Sequence, residues 1–275
     1  MIFDCLQKRT NMINYTDVWK RLNRIRTDKP LILNITNIVV TNITANMLLA
    51  LGASPAMAVS EEEIEELTSF SGSLVLNMGT PCASQIKTMY LAAARAKELG
   101  IPVVLDPVGA GASRIRTRTP LDFLENGLVS ILRGNASEIM ALGGSAHKPR
   151  GVDSLHGSDQ ALEAALGLSE KFGCVVCVSG EKDIIVSGSK ICRVSNGHHM
   201  MTLVTGMGCS STCLVAAFAA VEKDYFKATA MGMAVTGLCG EEAAGRAGGP
   251  GSLETFFLDI LYNLDKDKLK GIKVG

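Results

Sequence analysis

The chain has 275 residues, of which 47% are hydrophobic and only 5% aromatic, so its core must be packed mainly from aliphatic side chains and methionine. Its 27 basic and 27 acidic residues balance to zero formal charge with no basic block, which argues against nucleic acid or an anionic membrane surface as a partner. No apolar run reaches the ~18 residues needed to cross a bilayer, and the first residues turn polar too early for a secretory signal peptide.

The eight cysteines are scattered along the chain, which predicts reduced thiols and a cytoplasmic protein. Cys174 and Cys177 form a C-x-x-C pair, but they lie in a strand-like run, where residues three apart face opposite sides of a sheet. No second pair is present that could complete a zinc site. We therefore interpret both cysteines as core residues.

The first half of the chain alternates helical and strand-like segments. Residues 1–14 are expected to form a loose leader. The pattern then predicts helices over 15–26, 41–51, 61–67 and 83–99, strands over 31–36, 74–77 and 102–106, and a short strand or loop over 52–58. Strand, helix and strand at this spacing predict a mostly parallel sheet with helices on its faces.

The second half is less regular but shows no linker, repeat or change of composition. It is expected to contain a basic loop over 115–119, a strand over 128–132, a helix opening at 133–138, a glycine-rich loop over 143–157 and a helix over 159–172. Strands over 175–179, 183–186 and 190–194 predict an antiparallel edge, followed by helices over 227–242 and 253–264. We therefore predict one domain over residues 1–275.

A glycine turn opens a predicted helix within residues 204–221. Gly206 and Gly208 bracket the turn, and a helix N-terminus in this setting offers N–H donors and the positive dipole end to an anion. Cys209 lies at this tip, where the same field is expected to lower the thiol pKa. The first-turn hydroxyls are expected to satisfy free backbone N–H groups; they belong to Ser210, Ser211 and Thr212. An ordinary glycine turn before a buried helix is the alternative interpretation.

Further polar candidates lie near the predicted strand ends, where ligands of parallel sheets gather. Asp106 ends a strand and precedes a glycine loop. Asn135 and Glu138 are three apart at a helix start. They form either a capping box or an amide and a carboxylate beside a magnesium-bound phosphate. The arginines at 114, 116 and 118 either contact phosphates or are solvated.

Asparagines and one methionine mark a second candidate region. The asparagines at 34, 37, 42 and 46 form either a polar edge that faces a specific ligand or an exposed polar face. Met57 suits an apolar pocket wall, although a methionine in this setting is more often part of the core.

Five segments of the sequence together resemble the hydroxyethylthiazole kinases of the ribokinase-like group. They are residues 34–46, residues 49–57, Leu-Asp-Pro-Val-Gly-Ala-Gly at 105–111, Arg-Gly-Asn-Ala-Ser-Glu at 133–138 and Thr-Gly-Met-Gly-Cys at 205–209. The match runs from about residue 16 to residue 265 in the family's order. The resemblance implies a single-domain, three-layer α/β ribokinase-like fold with a mostly parallel central sheet.

The resemblance also implies a function. It implies ATP-dependent phosphorylation of the alcohol of 4-methyl-5-(2-hydroxyethyl)thiazole in thiamine salvage, with Mg²⁺, by a homotrimer whose thiazole sites lie between subunits. Carried over by position, Met57 and Gly206 would contact the thiazole, and Arg133 and Ser179 would contact ATP. Ser179 stands where many relatives have threonine, so the hydroxyl is kept.

The remaining matches concern charge and proton transfer. Asp106 and Glu138 match the acidic residues that handle magnesium and phosphate in the wider group. Cys209 matches the position of the catalytic base, which is an aspartate in ribokinase itself. Two alternatives stay open: a kinase for another small hydroxymethyl heterocycle, such as a pyrimidine or pyridoxal, and a non-catalytic thiazole or nucleotide sensor. The joint presence of all three residues argues against the sensor.

Overall fold

A computed structural model describes residues 13–144 and 154–275 of the chain. The helices of the described residues are α1 (Tyr15–Asp28), α2 (Thr41–Leu51), α3 (Ile64–Ser69), α4 (Ala83–Leu99), α5 (Arg114–Glu125), α6 (Ala136–Leu142), α7 (Ser154–Phe172), α8 (Met207–Val221), α9 (Tyr225–Ala244) and α10 (Pro250–Tyr262). The strands are β1 (Leu31–Ile35), β2 (Ser54–Met57), β3 (Ser73–Asn77), β4 (Val103–Asp106), β5 (Ile131–Asn135), β6 (Val175–Ser179), β7 (Asp183–Ser187) and β8 (Lys190–Val194).

The strands form one sheet in the order β2-β1-β3-β4-β5-β6-β7-β8. The pairs from β2 through β6 are parallel, whereas β7 and β8 are added in antiparallel fashion, as predicted. From β1 the chain passes to β2 on one side, and then to β3 on the other side. This reversal opens a crevice between the carboxyl ends of β1 and β3, where sheets of this kind bind ligands.

Helices cover both faces of the sheet because successive strand residues point to opposite sides. On β1, for example, Ile32 belongs to one hydrophobic cluster and Leu33 to the other. The first cluster includes residues of α1, α2, α8, α9 and α10, and the second includes residues of α3 through α7. The predicted three-layer α/β architecture is therefore confirmed. The assignment of residues 1–275 to a single domain stays a prediction.

The two C-x-x-C cysteines face opposite layers. Cys177 packs in the first hydrophobic cluster and Cys174 in the second, and both are buried, free thiols. Their interpretation as core residues is confirmed.

Some predicted boundaries are wrong in the second half. The segment over 115–119 is not a loop but the start of α5, with Ser113 as its N-cap. The predicted strand over 128–132 begins later, at Ile131, and continues through Asn135, so Arg133 lies in a strand and not at a helix start. Part of the predicted loop over 143–157 belongs to α7, while residues 145–153 lie outside the described residues.

The fold includes the last residues of the predicted loose leader. Asn14 caps α1 through a capping box with Asp17, so at least the end of the expected leader is part of the fold. Residues 1–12 lie outside the described part of the chain. Within the described ranges, no helix is long and apolar enough to cross a membrane.

Close packing of α8 against α9 depends on a helical glycine. A Cβ at Gly232 would lie 2.7 Å from Val215 Cα, a backbone atom that cannot move aside cheaply. We therefore expect Gly232→Ala to lower the free energy of unfolding by about 1–2 kcal/mol, although alanine favours helices by about 1 kcal/mol. Denaturant unfolding measures this change.

The matched control is Gly167→Ala in α7, where an added Cβ would meet no atom within 4 Å. This variant should be as stable as the wild type or more stable. Equal stabilities for the two variants would contradict the packing argument.

Candidate active site

The polar residues of the site lie at the carboxyl edge of the sheet, beside the crevice between β1 and β3. Asn37 follows β1, and Asn77 ends β3 directly opposite Asp106, the last residue of β4. Helix α8 begins above this edge and contacts β1, β3 and β4. Neighbouring parallel strands thus bring together residues that are far apart in sequence.

A chain of buried hydrogen bonds links these elements. Asn37 Nδ2 donates to Asn77 Oδ1 at 2.7 Å, and Asn77 Nδ2 donates to Asp106 Oδ2 at 3.0 Å. The same carboxylate oxygen accepts a 2.8 Å hydrogen bond from Thr212 Oγ1 on α8. Asn37 Nδ2 also lies 3.8 Å from Cys209 Sγ. The thiol, the two asparagines and the aspartate therefore form one network.

Close approaches favour glycine at Gly206, the N-cap of α8, and at Gly208, in its first turn. Gly206 has φ +83°, and a Cβ there would lie 2.9 Å from Val40 Cγ1. A Cβ at Gly208 would lie 3.1 Å from Arg133 Nη1. The first glycine therefore lets α8 begin against α2, and the second lets a buried guanidinium reach the tip of α8.

The tip of α8 is accessible, because Gly206, Gly208 and Cys209 are only partly buried. The expected capping by first-turn hydroxyls is wrong. Gly206, the N-cap, provides no side chain, and Ser211 Oγ donates back to the carbonyl of Met207 at 2.9 Å. Thr212 donates to Asp106 instead. Ser210 Oγ is buried without a hydrogen-bond partner among the described residues, so none of the three hydroxyls caps the N-terminus of α8.

The expectation of a lowered thiol pKa at Cys209 is also wrong. Burial raises the pKa of Cys209 to about 12, the negative charge of Asp106 adds to this, and the amides of Asn77 and Asn37 and the charge of Arg133 offset only part of it. A helix N-terminus contributes about half a unit charge. A buried position beside a full carboxylate outweighs it. Cys209 is therefore a neutral thiol near pH 7.

Arg133 and Asp106 form the charged centre of the site. Burial raises the pKa of Asp106 to about 6, against the attraction of Arg133. Burial acts to lower the pKa of Arg133, but attraction to Asp106 and other groups leaves it above its ordinary value. Arg133 Nε is buried and has no hydrogen-bond partner among the described residues. An unpartnered, buried N–H on a cation is a ready donor for an anionic ligand.

A cavity of about 570 Å³ opens beside Arg133. Its wall includes Arg133, Ser179 and Gly208, so it reaches the tip of α8, and its volume is typical of a small-molecule site. Ser179 ends β6 opposite Asn135, and its hydroxyl donates to the carbonyl of Gly134 at 3.2 Å. The two residues matched to ATP contacts thus line one cavity.

Glu138 forms the capping box that was one of its two interpretations. Asn135 Oδ1 accepts from Glu138 N at 3.0 Å, and Glu138 Oε2 accepts from Asn135 N at 2.8 Å. Its other oxygen, Oε1, accepts from Gly109 N at 2.9 Å. Glu138 therefore also holds the glycine loop that follows β4. No group of three or more His, Cys, Asp or Glu residues in the described ranges could hold a metal.

Met57 and the arginines of α5 have different surroundings. Met57 ends β2, at the edge of the sheet, where it pairs with Asn34 and is half-buried. Arg116 Nη1 donates to the carbonyls of Met78 and Val108, both at 2.9 Å, so it braces the loops after β3 and β4. The exposed Arg118 forms ion pairs with Asp122 and Glu125.

The asparagine segment divides into two parts. Asn34 and Asn37 are buried, and Asn34 Oδ1 accepts from Cys213 Sγ at 3.2 Å, whereas Asn46 hydrogen-bonds Asn42 near the surface. Asn77 is not among the sequence candidates, and Thr212 is expected from the sequence to cap α8 and not to contact Asp106. The strand-end argument that selected Asp106 applies equally to Asn77, but nothing local marks a hydroxyl that contacts a residue 106 positions away.

Known proteins that are similar to this chain include hydroxyethylthiazole kinases. The model of the hydroxyethylthiazole kinase family matches residues 22–267. A hydroxyethylthiazole kinase from Oleidesulfovibrio alaskensis is 50% identical over 264 residues, covering 96% of this chain and 99% of the relative. The solved hydroxyethylthiazole kinase structure from Pyrococcus horikoshii OT3 is 39% identical with a TM-score of 0.87, covering 94% of this chain and 98% of that one.

A solved structure with much lower sequence identity supports the fold of this chain but not its function. A ribokinase-like superfamily protein from Enterococcus faecalis matches with a TM-score of 0.64 at 13% identity, covering 86% of this chain and 88% of that one. The predicted ribokinase-like fold class is therefore confirmed.

The buried carboxylates predict a pH dependence of stability. The pKa values of Asp106 and Asp183 are raised to about 6, both mainly by burial. Between about pH 4 and pH 6 the folded chain therefore holds protons that the unfolded chain has released. Their contribution to the free energy of unfolding falls as the pH rises through this window.

Asp106→Asn removes one of these protonation sites. We expect the free energy of unfolding of the variant, relative to that of the wild type, to rise by roughly 1–3 kcal/mol from pH 4 to pH 7. Denaturant unfolding at several pH values measures this change. Asp267→Asn, at an exposed carboxylate, serves as the control. A difference between Asp106→Asn and the wild type that does not change with pH would contradict the assignment.

Proposed function

The chain belongs to the hydroxyethylthiazole kinase family, and from this premise we propose that it transfers the γ-phosphoryl group of ATP to the hydroxyl of 4-methyl-5-(2-hydroxyethyl)thiazole, in thiamine salvage. The alcohol oxygen forms a bond to the γ-phosphorus, the bond to the β,γ-bridging oxygen breaks, and the products are the thiazole monophosphate, ADP and a proton. The observation that carries this proposal is the N-terminus of α8, which no side chain caps: its Gly208 lines the Arg133 cavity, and its Cys209 lies 3.8 Å from Asn37 at the sheet edge.

The geometry suits a transfer that depends on position and charge. A phosphoryl group passes through a loose transition state, so the protein's main tasks are alignment and stabilisation of negative charge. The first backbone N–H groups of α8 would face the γ-phosphate, because they have no partners within the helix. Arg133 and Ser179 would hold the rest of ATP in the cavity that they line. Gly206 and Met57 would contact the thiazole.

We propose that Mg²⁺ enters with ATP and that Asp106 and Glu138 attract it. Mg²⁺ commonly uses one or two carboxylates together with substrate phosphates and water, so a complete protein cage is not needed. The buried Asp106, whose pKa is raised to about 6, would gain from a nearby cation. Both Glu138 oxygens already accept backbone N–H groups, so this residue would contribute charge more than direct ligation. The metal would supply charge neutralisation on the phosphates.

A direct assay tests the proposed reaction. With Mg²⁺-ATP, we expect ADP to be released when the thiazole alcohol is added, and much less when a hydroxymethylpyrimidine or pyridoxal replaces it. ADP release with one of these other alcohols alone would assign the chain to a different heterocycle. Tight thiazole binding without any ADP release would instead indicate a sensor.

The proposed role of Cys209 is to accept the proton of the alcohol. Only the thiolate form of Cys209 can accept this proton, and the raised pKa of about 12 keeps the thiolate fraction small near pH 7. Since the alcohol also loses its proton late in a loose transition state, a base here contributes a limited factor. We expect Cys209→Ala to lower kcat by at most ~10²–10⁴-fold and to leave KM nearly unchanged. Cys209→Asp should keep or raise kcat, because a carboxylate accepts a proton at lower pH than a buried thiol.

Steady-state kinetics of both variants, with the wild type as reference, provide the measurement. An inactive Cys209→Asp variant together with a trapped phosphocysteine would replace the proton-transfer role by a covalent one.

We further propose a homotrimer with thiazole sites between subunits. Support comes from large apolar side chains that this chain leaves uncovered near the site: Ile38 and Val39 are 82% and 62% exposed, and Leu203, just before the glycine turn, is 66% exposed. A second copy would bury them. A sedimentation mass equal to that of one chain would refute this assembly.

We also propose a cytoplasmic location. ATP is a cytoplasmic co-substrate, and the cysteines of the described residues are free thiols, as expected in a reducing compartment. Cell fractionation checks this location, and recovery of the protein outside the cytoplasmic fraction would contradict it.

A further inference from the structure

One wall of the Arg133 cavity is a short segment without regular structure between β8 and the 3₁₀ helix His199–Leu203. Asn196, Gly197 and His198 of this segment line the cavity. Thr236 and Gly237 of α9 line the same cavity. The position of this segment therefore sets the width of the space that the proposed function assigns to the nucleotide.

Asn196 is held in place by close packing and by hydrogen bonds. It is 3% exposed, and a Cβ at Gly237 would lie only 2.5 Å from its carbonyl oxygen, so the segment is pressed against α9. Its Nδ2 donates to the carbonyl of Gly271 at 3.0 Å, and its Oδ1 accepts from Lys273 N at 2.6 Å. Residues after α10 thus hold the segment from behind.

Glu241 of α9 completes this support. Its Oε2 accepts from Asn196 Nδ2 at 3.0 Å, and its Oε1 accepts from Gly197 N at 3.1 Å. Lys273 Nζ lies 2.9 Å from Glu241 Oε1, which keeps the carboxylate turned toward the segment. Glu241 itself is not among the residues that line the cavity. Glu241 therefore holds two residues of the cavity wall without lining the cavity itself.

We propose that Glu241 is a positioning residue for the nucleotide: by holding Asn196 and Gly197, it keeps the cavity wall at the spacing that binds the nucleotide, without touching the ligand. The inference rests on the proposed function in one respect, namely that the nucleotide occupies this cavity. Hydrogen bonds to a charged acceptor are among the stronger ones in proteins, so the loss of two of them should be measurable.

The experiment compares Glu241→Ala with Glu242→Ala. The two glutamates are neighbours on α9 with side chains 25% and 27% exposed. Among the described residues, the Glu242 carboxylate has one polar side-chain partner, Arg246 at 3.9 Å, and no hydrogen bond. We expect Glu241→Ala to raise the Kd for ADP and the KM for ATP roughly tenfold, as the loss of about one charged hydrogen bond predicts. The KM for the thiazole should change less than twofold, and Glu242→Ala should resemble the wild type.

The readouts separate this inference from the proposed function. ADP binding, measured calorimetrically without thiazole, tests Glu241 even if the thiazole alcohol is not phosphorylated. An ADP Kd within twofold of the wild type for Glu241→Ala, an equal rise in both KM values, or no binding of ADP by the wild type would overturn the inference. If Glu241→Ala lacks a cooperative thermal transition, Glu241→Gln and Glu242→Gln replace the pair, and a threefold difference in ADP Kd is then required.

Discussion

The buried carboxylate of Asp106 is the interaction on which the site depends. A charge that is taken from water is stable only when hydrogen bonds and opposite charge replace the lost solvation. Here Asn77 from β3 and Thr212 from α8 donate to one oxygen, and Arg133 from β5 supplies positive charge. Because these partners come from different elements, satisfying Asp106 also fixes α8 relative to the sheet edge.

Electrostatic competition explains the state of Cys209. A helix N-terminus favours a thiolate, but its effect is limited to the first turn and is equivalent to about half a charge. Burial and the negative charge of Asp106 act in the opposite direction and are stronger, so the thiol pKa rises to about 12. The α8 N-terminus is thus left to attract a different anion, at the partly exposed residues Gly208 and Cys209 of its first turn.

Close backbone approaches give the site its shape. Gly206 allows α8 to begin against Val40, and Gly208 admits the guanidinium of Arg133. In the wall of the cavity, Gly237 admits Asn196 in the same way. At these three places the missing side chain makes room for a neighbouring group, which lets Arg133 approach the tip of α8 and Asn196 pack against α9.

The sequence by itself determined the elements whose signals are local. Helices α2 and α4 were predicted at their observed bounds, because their apolar periodicity ends at Gly52 and Gly100, both in the left-handed conformation. The alternation of strands and helices likewise determined the three layers, and motif resemblance indicated the family. Only the tertiary structure decided what depends on distant partners. Arg133 remains charged although it is buried, because Asp106 supplies the opposite charge. The raised pKa of Cys209 and the hydrogen bonds from Asn77 and Thr212 to Asp106 arise only when β3, β4 and α8 pack together.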